Sequence, residues 1–170
     1  MSINSLSNQE LLTLPFVGSV ADLILKKGFK LVTAESCTGG GVAAACTDLA
    51  GSSDWFERGF VTYSNAAKIE LLGVDPALID AHGAVSEAVA LAMAQGALAH
   101  SHAQVALAVT GVAGPSGGSP AKPVGTVWLA WCAPGRVHTQ KMHFPGDRAA
   151  VRHAAVRHAL LGLHALLRSD

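Results

Sequence analysis

Residues Thr33–Gly41 read TAESCTGGG and place a carboxylate, three hydroxyls, a thiol and three consecutive glycines directly after the apolar run FKLV. If a strand ends at Ala34 and a helix begins near Thr38, Ser36 falls in the connecting loop beside unpaired backbone N–H groups. Such a terminus attracts negative charge, either a phosphate or the oxyanion formed when a nucleophile attacks a carbonyl. Glycines 39–41 let a ligand or a neighbouring backbone come close without Cβ interference.

Two readings of the hydroxyls stand side by side. In one, Ser36 and Thr38 cap the helix, Glu35 is a solvated loop acid and the glycines are a packing allowance. In the other, Ser36 is a nucleophile and needs a group to take its proton. The stretch YSNAAK supplies Tyr63 and Lys68 together, although neither a GxSxG elbow nor an SxxK signature is present. Cys37 competes as a thiol nucleophile beside the same helix terminus, whereas Cys46 and Cys132 lie in apolar stretches and read as packing residues.

The elements that must position these groups follow from periodicity. Val17, Val20, Leu23 and Ile24 have helical spacing, with Pro15 near the start and Gly28 at the end. FKLVTA reads as a strand, Gly39–Ala50 as a helix and GFVTYSN as a second strand. Short helices over Ala66–Leu72 and Pro76–Ala81 precede a longer one capped by Ser86. Ala103–Thr110 reads as a buried strand, and the Gly-rich segment from Gly111 to Pro123 is too long for an ordinary connection. VGTVWLAWCA and VHTQKMHF flank the turn PGR as a hairpin, after which Asp147 caps a last helix with Arg148 and Arg152 on one face. The alternation predicts an α/β domain with a mixed sheet, formed by residues 1–170 without an internal linker.

Composition narrows the function. Charged residues make up 14% of the 170-residue chain, against about 25% in an average domain, which predicts a homo-oligomer. Net charge is zero and no basic run exceeds Lys26-Lys27, which argues against nucleic-acid binding. No apolar run reaches the roughly 20 residues of a membrane span, and MSINSLSNQELL lacks the pattern of a leader. Three cysteines without CxxC spacing suit a reducing cytoplasm and no structural zinc. The eight histidines lack the i, i+4 pairing of helical zinc sites, so no metal and no cofactor is expected. Trp55, Phe56, Trp128 and Trp131 read as core.

The blocks TAESCTGG, AGSSDWFERGFVTYSNAAK, HGAVSE, VTGVAGPSGGSPAKPVGTVW and FPGDRAAVR resemble those of the CinA C-terminal domain family, in order and in spacing. The resemblance covers about Thr33 to Arg152. It implies a three-layer α/β/α sandwich, association as a dimer or higher oligomer, and hydrolysis of the carboxamide of nicotinamide mononucleotide (NMN). On this resemblance the nucleophile is Ser36, with Tyr63 and Lys68 assisting its deprotonation. The resemblance also assigns Thr110 and Arg148 to the site, and the Arg148 fork suits the substrate phosphate; beside it, the backbone N–H groups of Cys37, Thr38, Gly39 and Gly40 are expected to hold the oxyanion, and the loop with Gly111 and Gly114 to close over the nucleotide. Longer members carry an additional N-terminal domain, whose activity is not expected here. The alternative from another class is a non-catalytic nucleotide sensor or partner-binding subunit that uses the same loops to hold a phosphate.

Overall fold

The computed structural model describes residues 8–168, which leaves Met1–Ser7 of the segment read for a leader and the last two residues outside the description. Six helices and five strands follow in the order α1 (Asn8–Lys27), β1 (Leu31–Glu35), α2 (Gly41–Thr47), β2 (Phe56–Val61), α3 (Asn65–Leu72), α4 (Pro76–His82), α5 (Glu87–Ala99), β3 (Val105–Gly111), β4 (Thr126–Ala133), β5 (Arg136–His143) and α6 (Arg148–Arg168). The sheet order is β2-β1-β3-β4-β5. Pairing is parallel across β2, β1 and β3 and antiparallel across β3, β4 and β5, so the sheet is mixed as expected.

Strand alternation divides the core into two unlike halves. Leu31, Leu107, Val109, Leu129 and Trp131 face α1, α2 and α6, where Val20, Ile24, Val42, Leu160 and Leu163 meet them. The opposite face carries Val32, Ala34, Ala106, Ala108 and Ala130 against Ala90, Met93, Ala94 and Ala97 of α5. Small side chains on both partners bring α5 close to the sheet and let α3 press in beside it. Helices on both faces of one sheet give the three-layer arrangement.

Among the element boundaries that differ from the sequence expectation, two near the site have a clear local cause. The second strand ends at Val61, because Ser64 is the N-cap of α3 and its side chain accepts from the Ala67 N–H. Tyr63 and Asn65 therefore belong to a helix entry and not to a strand. Helix α2 begins at Gly41, because Gly39 and Gly40 take φ of +59° and +96°, a region that favours glycine and breaks helical continuity. The N-terminal helix runs from Asn8 to Lys27 with Pro15 inside it and stops at Gly28, at φ +65°.

This topology creates one crevice. Chain connections leave β1 and β3 toward opposite edges of the sheet, to β2 and to β4, so the carboxyl ends of these neighbours form a switch point, where open α/β sheets accept ligands. Ser36 follows β1 there and donates its backbone N–H to Val109 O on β3 at 2.9 Å.

The close approach of α3 and α5 is directly testable. A Cβ at Gly96 would run into the Leu72 carbonyl, a backbone group that cannot swing aside. Gly96→Ala is expected to lower the unfolding free energy by roughly 1–3 kcal/mol through overpacking. Urea denaturation of the variant beside the parent measures the loss.

Candidate active site

Ser36 is 8% exposed and Lys68 is 1% exposed. The Lys68 Nζ lies 3.1 Å from Ser36 Oγ and donates to Thr62 O at 2.8 Å. Helix α3 makes this possible: Ser64 starts it, and Lys68, four residues on, points back under the end of β2. Among the described residues, no carboxylate lies within ion-pair distance of Lys68. Burial lowers the Lys68 pKa from the ordinary lysine value, opposed by a smaller contribution from Cys37. A neutral amine has two N–H bonds and one lone pair, so it can donate to Thr62 O and accept from the Ser36 hydroxyl at the same time.

A cavity of about 190 Å³ opens in front of this pair. Ser36, Tyr63, Asn65, Lys68, Thr110 and Arg148 form its polar wall, and Ala84, Val85 and Ala113 its apolar one, with Cys37 and Gly111 between them. Tyr63 is 59% exposed, and its hydroxyl accepts from Arg148 Nη2 at 2.8 Å. The other guanidinium arm of Arg148 donates to Gly114 O at 2.8 Å. Arg148 is the first residue of α6, where Asp147 caps the helix by accepting from the Ala150 N–H at 2.9 Å. Thr110 donates its hydroxyl proton to Ala84 O at 2.9 Å, so it offers the cavity lone pairs and not a proton.

The turn after Ser36 is built otherwise than the sequence suggests. Glu35 is 1% exposed, not solvated, and its carboxylate accepts from the N–H groups of Val42 at 2.7 Å and Ala43 at 3.0 Å. The chain's own acid thus occupies the start of α2, the place that the sequence offers to an external anion. Gly39 N–H bonds Ser36 O and Gly41 N–H bonds Thr38 O, both at 3.0 Å. Gly39 and Gly40 shape this turn and lie outside the cavity wall; Thr38 is buried and gives that wall no side chain, and the turn meets the cavity at Cys37. Arg152, one helical turn beyond Arg148, crosses the turn and donates to Cys37 O and Thr38 O at 3.2 Å each.

Cys37 is buried, and burial pushes its thiol up to about 11; the adjacent backbone N–H and the Arg152 and Lys68 charges oppose that rise, while Glu35 adds to it. It is a thiol at neutral pH, which removes the nucleophilic form. The Gly-rich segment is tied down at Gly114 by Arg148 and again toward its end. Lys122 Nζ donates to His82 O at 2.7 Å, and Ser119 and Lys122 exchange backbone bonds.

A larger groove of about 710 Å³ lies between β5 and α6, but the groups around it are engaged with one another. His158 bonds Gln140 at 2.9 Å, and His138 stacks on Trp131 at 5.5 Å. Among the described residues, no three His, Cys, Asp or Glu side chains converge as metal ligands, and no helix is long and apolar enough to cross a membrane.

Asn65, Ala84 and Val85 join the cavity wall without standing out in the sequence. Asn65 has a signal, since it sits three residues before Lys68 and on its helix; Ala84 and Val85 have no chemistry that a linear reading detects.

An α/β/α sandwich whose crevice lies at the carboxyl ends of β1 and β3 is the setting, and the family model of the CinA C-terminal domain matches residues 15–167. The chain belongs to that family. It is 59% identical over 134 residues to a protein of Pseudomonas putida named nicotinamide-nucleotide amidohydrolase PncC, covering 79% of this chain and 84% of that one. A protein of the same name from Escherichia coli K12 is 53% identical over 142 residues, 83% of this chain and 86% of the relative. The crystal structure of competence damage-inducible protein A (ComA) from Klebsiella pneumoniae superposes with a TM-score of 0.89 at 42% identity, covering 93% of this chain and 99% of that one.

The buried amine has a thermodynamic signature. Because the folded pKa of Lys68 is lowered, the unfolded chain binds more protons between that value and the ordinary lysine value of about 10.4. Stability therefore rises with pH through this window, and below it the penalty is complete and constant. In urea denaturation from pH 7 to pH 10, the difference in stability between the parent and Lys68→Met is expected to move in the parent's favour as pH rises.

Proposed function

We propose that this chain is a nicotinamide-nucleotide amidohydrolase that converts NMN and water to nicotinate mononucleotide and ammonia, with Ser36 as nucleophile and Lys68 as its base. The observation that carries the proposal is the 3.1 Å contact between a buried, carboxylate-free lysine amine and a serine oxygen at the wall of a cavity. The names and high identity of the relatives support the substrate.

The chemistry runs in two halves. Ser36 Oγ attacks the carboxamide carbon while its proton passes to the neutral Lys68 Nζ, and the carbonyl oxygen becomes an oxyanion. The backbone N–H groups of Cys37, Thr38 and Gly40 are the donors of the turn not spent on Glu35 or on the turn's own carbonyls, and the Thr38 N–H, close to Ser36 in the chain, receives that charge. The C–N bond then breaks, Lys68 returns the proton to the departing nitrogen, and ammonia leaves an ester on Ser36. Water attacks the ester carbon, its proton goes to Lys68, and the ester C–O bond breaks as Ser36 Oγ regains a proton. Thr62 O holds the amine in place through both halves.

Tyr63 acts at the rim. Its hydroxyl is bonded to Arg148, so in this reading it orients that guanidinium and Lys68 is the base. The cavity accommodates a pyridine ring between Val85 and Ala113, leaving ribose and phosphate to the exposed side where Arg148 and the backbone around Gly111 and Gly114 lie. A charged fraction of 14% supports a homodimer or higher oligomer. Three free, buried cysteines suit a reducing cytoplasm.

Ser36→Ala is expected to reduce ammonia release from NMN by at least ~10³-fold, measured by coupled assay on folded protein; release at the parent's rate would remove Ser36 from the mechanism. Cys37→Ala is expected to keep at least half of the parent's turnover in the same assay, since the buried thiol holds its proton. The kcat/KM of the parent is expected to rise with pH until Lys68 is neutral, with a midpoint below the ordinary lysine value of about 10.4. A profile whose rise has its midpoint at or above the ordinary lysine value of about 10.4 would rule out the neutral Lys68 as the base.

A further inference from the structure

We propose that Arg152 is a positioning residue for this hydrolysis: its guanidinium fixes and polarises the Cys37–Thr38 peptide so that the Thr38 N–H becomes the oxyanion donor. The inference rests on the proposed Ser36 chemistry and adds to it a residue that touches neither substrate nor nucleophile.

The donors of the turn can be followed one by one. Val42 and Ala43 give their N–H groups to Glu35, Gly39 to Ser36 O and Gly41 to Thr38 O. The Cys37 N–H lies against its own thiol sulfur, where it counters the rise in the thiol pKa. That leaves the N–H groups of Thr38 and Gly40, and of these the Thr38 N–H is nearer Ser36 along the chain and belongs to the peptide that Arg152 holds. Its direction is set by the peptide plane to which it belongs, since in a trans peptide the C=O and N–H point in opposite directions. Arg152 holds that plane by its carbonyl, with Nε 3.2 Å from Cys37 O. The Nη2 arm holds the next carbonyl, Thr38 O, at the same distance. With the guanidinium on one side of the turn, the Thr38 N–H faces the other.

Two further features fit this role. Arg152 is half-buried, and the cavity wall does not include it, whereas Arg148, one turn earlier on the same helix, is exposed and lies in that wall. Gly39 sits under the guanidinium at φ +59°, with the place of a Cβ 3.4 Å from Nη2. A cation drawing on the Cys37 carbonyl oxygen also increases the positive charge on the Thr38 N–H of the same amide, which strengthens the donor where charge develops. A single register of α6 thus serves both ends of the substrate: Arg148 at the rim and Arg152 behind the reacting carbonyl.

The test compares Arg152→Met and Arg152→Lys with the parent, using NMN and its thioamide analogue, in which sulfur replaces the carboxamide oxygen. An oxyanion donor tuned to oxygen discriminates against the larger, weaker acceptor. Arg152→Met is expected to lose roughly 10- to 100-fold in kcat, less than or equal to the loss of one direct donor, with KM for NMN within about threefold and a smaller oxygen-over-sulfur preference. Arg152→Lys, which keeps the charge but reaches one carbonyl, is expected to fall between. Unchanged kcat, a loss confined to KM, or a kcat loss that leaves the oxygen-over-sulfur preference intact would each overturn the assignment. If Arg152→Met does not fold, Arg152→Lys decides by the same preference. A parent without amidase activity, or an active Ser36→Ala, would instead sink the serine mechanism itself.

Discussion

A lysine amine almost wholly removed from water is the constraint around which this site is organised. An ammonium ion there would need a carboxylate partner or a shell of acceptors, and the structure supplies one carbonyl and one hydroxyl. Losing the proton relieves that cost, which is why burial lowers the pKa of Lys68. The same desolvation that weakens the fold as pH falls provides the neutral amine that a serine base must be. Function and local instability have one cause here, and the rest of the domain offsets it with a well-packed core on both faces of the sheet.

Holding that amine against one particular oxygen needs three elements. The end of β1 presents Ser36, the end of β2 presents the Thr62 carbonyl, and α3 returns Lys68 to both. Parallel pairing of β1 with β2 aligns the first two, and the Ser64 cap fixes where α3 starts. A slip of one residue at that cap would turn Lys68 by about 100° around the helix and carry its amine away from Ser36.

Anion handling is divided in a way that the opening glycines conceal. The start of α2 has the makings of a phosphate cradle, yet Glu35 fills it and so ties the nucleophile's own turn to the helix that follows. Charge on the substrate side is left to α6, whose first turn carries Arg148 to the cavity rim. The glycines then act through geometry, since Gly39 and Gly40 reverse the chain at positive φ so that Glu35 can reach forward to Val42 and Ala43.

Much of this architecture is legible in the linear sequence because it rests on local chemistry. The apolar runs, the Ser86 and Asp147 caps and the hairpin around Gly135 specify their elements through hydrogen bonds and periodicities that close within a few residues. Ser36 and Lys68 stand out for the same reason, as residue types able to do chemistry beside structural punctuation. What the sequence could not determine is which groups meet. Burial of Glu35, the choice of Lys68 over Tyr63 as neighbour of Ser36, and the reach of Arg152 to Cys37 and Thr38 depend on contacts 7, 32 and 115 residues apart along the chain. Only packing of strands and helices brings such groups within 3.2 Å, because hydrogen bonding and desolvation act through space and leave no mark on residue order.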